Sequence, residues 1–152
     1  MLNRFTATDL TIYRARERKR ELPFSDIEMF EAPFGLAGHE RFNVWGQGEL
    51  YTCDNKETAI EELKVTSACV DVVTWSLQTP LDVLDLVEVD SPLVRYCSYT
   101  KQTATNLAKF VGIHGIRFRS NMNNQVINYV FFDFEHKFFK TVNLERNYIT
   151  LD

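Results

Sequence analysis

Short runs of β-branched and aromatic residues, separated by turn-forming residues, limit what this chain can fold into. Val70 to Leu77 is the densest of them, apolar and β-branched with Asp71 near its start. Thr11 to Arg16, Glu49 to Cys53, Gly115 to Arg119, Ile127 to Phe134 and Phe138 to Leu151 are further strands on the same grounds. Val83 to Val89 alternates apolar with acidic residues, the mark of a half-buried strand. Two stretches keep a helical period instead. Asp54, with Glu57 three residues on, fits a helix start that places Ala59, Leu63 and Thr66 on one face. Pro92 opens a second helix carrying Ala104, Leu107, Ala108 and Val111, which should stop at Gly112 or Gly115. About eight short strands in runs, with two main helices and no βαβ alternation, predict an α+β fold.

Length agrees with one domain spanning residues 1–152, with no internal repeat or low-complexity linker. Hydrophobic residues make up 45% and charged residues 25%, a globular balance that excludes disorder, coiled coil and collagen. The 12 Phe and 6 Tyr suit a sheet-rich core. A net charge of -4 supplies no general attraction to nucleic acid or to an anionic membrane. Cys53, Cys69 and Cys97 are widely spaced, and His39, His114 and His136 stand apart from them, so no metal site is expected. Free thiols point to a reducing compartment. Met1 to Phe5 lacks the apolar run of a signal peptide, and no stretch approaches the ~20 apolar residues of a membrane span. A cytoplasmic protein is expected.

Chemistry has few places to sit. Leu22 to Gly48 is irregular, broken by Pro23, Pro33, Gly35, Gly38, Gly46 and Gly48, and a loop of that length is often functional. Its Gly38 to Gly48 portion has no Walker A or dinucleotide spacing, so a nucleotide there would be held by side chains; an irregular loop with glycines at turns explains it equally. Arg14, Arg16, Arg18, Lys19 and Arg20 form a basic run that could contact nucleic acid, fork onto a phosphate or remain a solvated turn. Strand alternation puts Arg14 and Arg16 on one face, away from Tyr13 and Ala15, and leaves Arg18 to Arg20 in water. The adjacent acids Glu61 and Glu62 differ in phase. At about 100° per residue from Ala59, Glu61 faces solvent while Glu62 sits on the border of the apolar face. A carboxylate on that border is costly unless partnered or employed, which makes Glu62 the candidate. Ser120 follows a strand and precedes Asn121, Asn123 and Asn124, with none of the surroundings of a hydrolase nucleophile.

Taken in order, these pieces resemble the RES-domain family of NAD-depleting bacterial toxins, whose fold is related to ADP-ribosyltransferases. Tyr13-Arg14-Ala15-Arg16 is similar to the family's opening Tyr-Arg-x-Arg element. Arg41-Phe42-Asn43-Val44-Trp45-Gly46 matches its Arg-x-Asn-x-x-Gly stretch. Leu50-Tyr51 and Thr58-Ala59-Ile60-Glu61-Glu62 match its Leu-Tyr and Thr-Ala-x-x-Glu pair. Gly115 to Ser120 and Asn128 to Phe132 complete the series. Two departures stand out: His39-Glu40 precede the arginine where many members have small residues, and Phe118 replaces the usual tyrosine.

The resemblance implies a split, ADP-ribosyltransferase-like sheet core and cleavage of the nicotinamide–ribose bond of NAD+, with water or phosphate as acceptor. Glu62 would stabilise the ribosyl cation and Ser120 would position substrate. Of the family's arginine, Arg14, Arg16 and Arg41 are all candidates, with Arg14 and Arg41 first for the pyrophosphate. Tyr51 would offer a ring and a hydroxyl beside the nicotinamide or ribose, and Asn43 would bind substrate. No cofactor or metal is implied, NAD+ being the substrate. An Xre-type helix-turn-helix antitoxin is the implied partner, and a homodimer is allowed. The alternatives are a mono-ADP-ribosyltransferase acting on a protein and a non-catalytic binding module on the same fold.

Overall fold

Alternating side chains become one mixed sheet in a computed structural model that describes residues 3–19, 21–30, 50–64, 67–88, 112–132 and 134–150. Its elements are β1 (Arg4–Ala7), β2 (Thr11–Arg18), β3 (Leu50–Cys53), α1 (Lys56–Glu61), β4 (Ser67–Leu77), β5 (Leu81–Asp85), β6 (Gly115–Arg119), β7 (Ile127–Phe131) and β8 (Phe139–Thr150). A 3-10 turn, His136–Phe138, precedes β8. Eight strands lie in the order β1-β5-β6-β7-β3-β2-β4-β8, and β5–β6 is the parallel pair.

The expected α+β class and its runs of strands hold, with three adjustments. β1 went unread because four residues give only Phe5 and Ala7 as an alternating signal. β5 ends at Asp85, short of Val89, and β7 ends at Phe131. The helix after β3 is only six residues long, and its cap is Asn55, whose side chain accepts from the Thr58 N–H at 2.9 Å. Asp54 is occupied elsewhere: its carboxylate accepts the Ile127 N–H at 3.0 Å, extending the β3–β7 ladder. The second helix from Pro92, the Gly38 to Gly48 loop, Arg41 and Asn43 lie outside the described residues.

The sheet is continuous but unevenly joined. β2 pairs with β4 from Thr11↔Ser76 to Arg18↔Cys69, whereas β2 meets β3 through the single pair Tyr13↔Cys53. That pair joins a wide half of five strands (β1-β5-β6-β7-β3) to a narrow half of three (β2-β4-β8). Gly115 marks a close approach within the wide half, since a Cβ there would run into the Val130 carbonyl.

Both faces are covered. On one, Ile12, Leu50, Val73, Trp75, Phe131 and Phe139 form the main core with Phe24, Met29 and Phe30 from the segment after β2. Phe30 stacks on the fully buried Trp75 at 4.4 Å between centroids, worth about 0.5–1.5 kcal/mol beyond burial. On the other face Ile60 of α1 and Leu63 just after it pack on Ala15, Ala68, Val70 and Val72. Tyr51 packs with Ile116, Phe118 and Val130 in a third cluster.

Arginines hold the covering segment in place, and here one expectation fails. Arg18 does not stay in water: its Nε lies 3.3 Å from the fully buried Asp71, and its Nη1 donates to the Glu21 carbonyl at 2.6 Å. Asp71 also accepts the Phe24 N–H at 2.9 Å. In the antiparallel β2–β4 register Arg16 stands opposite Asp71 and Arg18 opposite Cys69, so Arg18 reaches Asp71 as a diagonal neighbour. A buried carboxylate must be neutralised, and an arginine within reach does so.

Candidate active site

The site begins where β3 hands over to α1. Asp54 ties the strand end to β7, Asn55 caps the helix, and about two turns later the chain reaches Glu62, the residue that caps the C-terminus. Lys64 then adopts a left-handed conformation (φ 55), which ends the helix. The buried position of α1 is Thr58, one residue before the Ala59 of the sequence reading. Thr58 and Glu62 are four apart and share a side of the helix. Glu61 is exposed and Glu62 is half-buried, as the phase argument required.

Glu62 reaches toward β6 and β7. Its Oε1 accepts a hydrogen bond from the Ser120 hydroxyl at 2.7 Å and from the Asn128 amide at 3.1 Å. Ser120 follows β6 and Asn128 lies on β7, so a carboxylate carried by a helix that packs on the narrow half is fastened to the wide half. Ser120 is itself oriented, because its Oγ accepts the Met122 N–H at 3.1 Å, which leaves its proton for Glu62. Both bonds fall on Oε1. Among the described residues Oε2 has no hydrogen-bond partner, and no cation pairs with this carboxylate.

Cys53 lies on the same side of the sheet, opposite Asn128 in the register. Burial pushes its thiol up to about 12, and the negative charges of Glu62 and Asp54 add to that rise against the lowering effect of its bond to the Asn55 carbonyl. At neutral pH it remains a thiol, which makes it a poor nucleophile. No group of three His, Cys, Asp or Glu among the described residues could hold a metal ion, and no described helix is long and apolar enough to cross a membrane.

The remaining candidates divide. The Arg14 guanidinium donates to the Tyr51 carbonyl at 3.0 Å, reaching from β2 to β3. Tyr51 presents its ring on the side of Phe118 and Val130. Arg16 shares the face of Arg14 but turns to the covering segment, donating to the Glu28 carbonyl and lying 4.2 Å over the Phe24 ring. The structure thus brings Glu62 and Ser120 into contact, links Arg14 with Tyr51, and places Arg16 against the covering segment. Sequence reasoning had quoted Asn128 only as part of a strand; a polar amide inside an apolar β7 was the signal that could have singled it out.

The model of the RES domain matches residues 11–151. The chain belongs to the RES domain family. No curated protein matches this RES domain. Among solved structures it is similar to a chain in the crystal structure of the M. tuberculosis MbcT–MbcA toxin–antitoxin complex, with a TM-score of 0.64 at 15% identity, over 96% of this chain and 86% of that one. At that identity the likeness establishes a shared fold.

Proposed function

We propose that this RES domain is the toxin of a toxin–antitoxin pair and cleaves the nicotinamide–ribose bond of NAD+, transferring the ADP-ribosyl group to water or phosphate. The observation that carries this reading is the Glu62 carboxylate, clamped by neutral donors on one oxygen while the other oxygen keeps its charge for a ligand. Nicotinamide leaves as a neutral molecule, so the reaction needs little acid. The barrier lies in the positive charge that develops on the ribosyl carbon. A preorganised, unneutralised carboxylate stabilises that charge and can hold a ribose hydroxyl.

The other groups fill supporting parts. Ser120 fixes Glu62 and offers its oxygen to substrate instead of attacking. Arg14, on β2 where the two halves of the sheet join, is the arginine we place on the pyrophosphate, joined by Arg41. Arg16 and Asn43 complete the substrate-binding set, and Tyr51 supplies an aromatic wall for nicotinamide or ribose. No metal or bound cofactor takes part. Location in the cytoplasm, where NAD+ is available, follows from this reading. The partner is an antitoxin of the Xre helix-turn-helix type that masks the site; the membership of the fold neighbour in a toxin–antitoxin complex supports an antitoxin partner, and the Xre type comes from the family resemblance.

Time-resolved product analysis of the pure protein with NAD+, with and without phosphate, tests the proposal. Free ADP-ribose or its phosphate ester is expected. Label passing into protein would make it a mono-ADP-ribosyltransferase, and nicotinamide release no faster than buffer would leave a binding module.

A further inference from the structure

We infer that Asn128 is a positioning residue for the Glu62 carboxylate, an assignment that rests on the NAD+-cleaving reading of the site. Asn128 is 3% exposed, in a strand otherwise made of Ile127, Tyr129, Val130 and Phe131. A side-chain amide in such surroundings costs free energy unless its polar atoms are satisfied. Here only part of the cost is met: Nδ2 donates to Glu62, whereas Oδ1 is buried with no partner among the described residues. Packing alone would favour an apolar residue at this position. Turning the amide over would set Oδ1 against the carboxylate oxygen, so the orientation is dictated by the charge on Glu62. The bond that remains is charge-assisted, the stronger kind.

Its geometry also does something Ser120 cannot do alone. Ser120 approaches Oε1 from the end of β6 and Asn128 from the middle of β7. Two donors from different strands fix the carboxylate plane, where one would leave it free to swing. The consequence is that Oε2 is presented in one direction before substrate arrives, which is what stabilisation of a developing cation demands.

Side-chain amide NMR of the full-length protein without NAD+ reads the contact directly. One Asn128 NH2 proton is expected downfield and slow to exchange, and it should move to an ordinary position in Glu62→Ala. An unchanged signal in that variant overturns the inference whether or not the protein cleaves NAD+. Kinetics supply the second readout. Asn128→Asp keeps the shape but exchanges donor for repulsion, and kcat for nicotinamide release should fall by at least ~10-fold with KM within about twofold. Asn128→Ser, which retains a donor, should keep more kcat than Asn128→Ala at equal folded fraction. Equal losses in Ser and Ala, or a loss confined to KM, would contradict positioning. A protein that shows the NMR signature but releases no nicotinamide overturns the proposed reaction and not the contact.

Discussion

Two carboxylates are drawn out of water on opposite faces of the narrow half-sheet, and they are satisfied in opposite ways. Asp71 is fully buried and meets the Arg18 cation and a backbone N–H, so its charge is spent locally on holding the segment around Phe24. Among the described residues Glu62 meets a hydroxyl and an amide, both neutral, and no cation. A neutralised acid fastens structure. An acid held by neutral donors is ready to act on something positive, and in the proposed reaction that would be the cation forming on the ribose.

The largest effect expected from that contrast is on turnover. Glu62→Gln should lower kcat by at least ~100-fold with the fold intact, because such stabilisers contribute several kcal/mol. Glu61→Gln should leave kcat unchanged; equal losses in both would erase the distinction between the two acids. Asp71→Ala should do the reverse, costing about 3 kcal/mol in denaturant unfolding because it strands Arg18, while activity per folded molecule changes far less. Loss of turnover without loss of stability in Asp71→Ala would break the comparison.

Smaller effects sharpen it. Arg14→Ala should raise KM for NAD+ about tenfold, the scale of one charge-assisted contact; a normal KM would remove Arg14 from the phosphate role. Asp85 provides an intermediate case, half-buried and bonded to Arg117 at 2.8 Å. Burial alone would raise its carboxyl, but the hydrogen bonds from Arg117 and the Val87 N–H hold it below the ordinary carboxylate range. A depressed value means stability present above about pH 4 and lost as pH falls through the folded-state value. The Tm gap between the wild type and Asp85→Asn should therefore be widest near neutral pH and close in acid. A gap that does not vary with pH would show that the pair adds no charge-dependent stability.

How much of this could be read from residues alone follows from the range of each interaction. Strands with several alternating apolar positions, such as Val70 to Leu77, announce themselves, whereas β1 offers two. The difference in burial between Glu62 and Glu61 needed only helix phase, a local property, and holds even though the buried centre of α1 is Thr58. The cap slipped by one because Asp54 and Asn55 are both good caps, and only the ladder to Ile127 decides between them. The pairing of Arg18 with Asp71, and of Asn128 with Glu62, depends on strand register and on which strands become neighbours. No local period encodes that.

A crystal structure of the Glu62→Gln variant with NAD+ bound tests the central claim most directly. The account predicts the side chain at position 62 within hydrogen-bond reach of the nicotinamide-bearing ribose, still fastened to Ser120. A ribose bound elsewhere, with position 62 turned to bulk solvent, would contradict it.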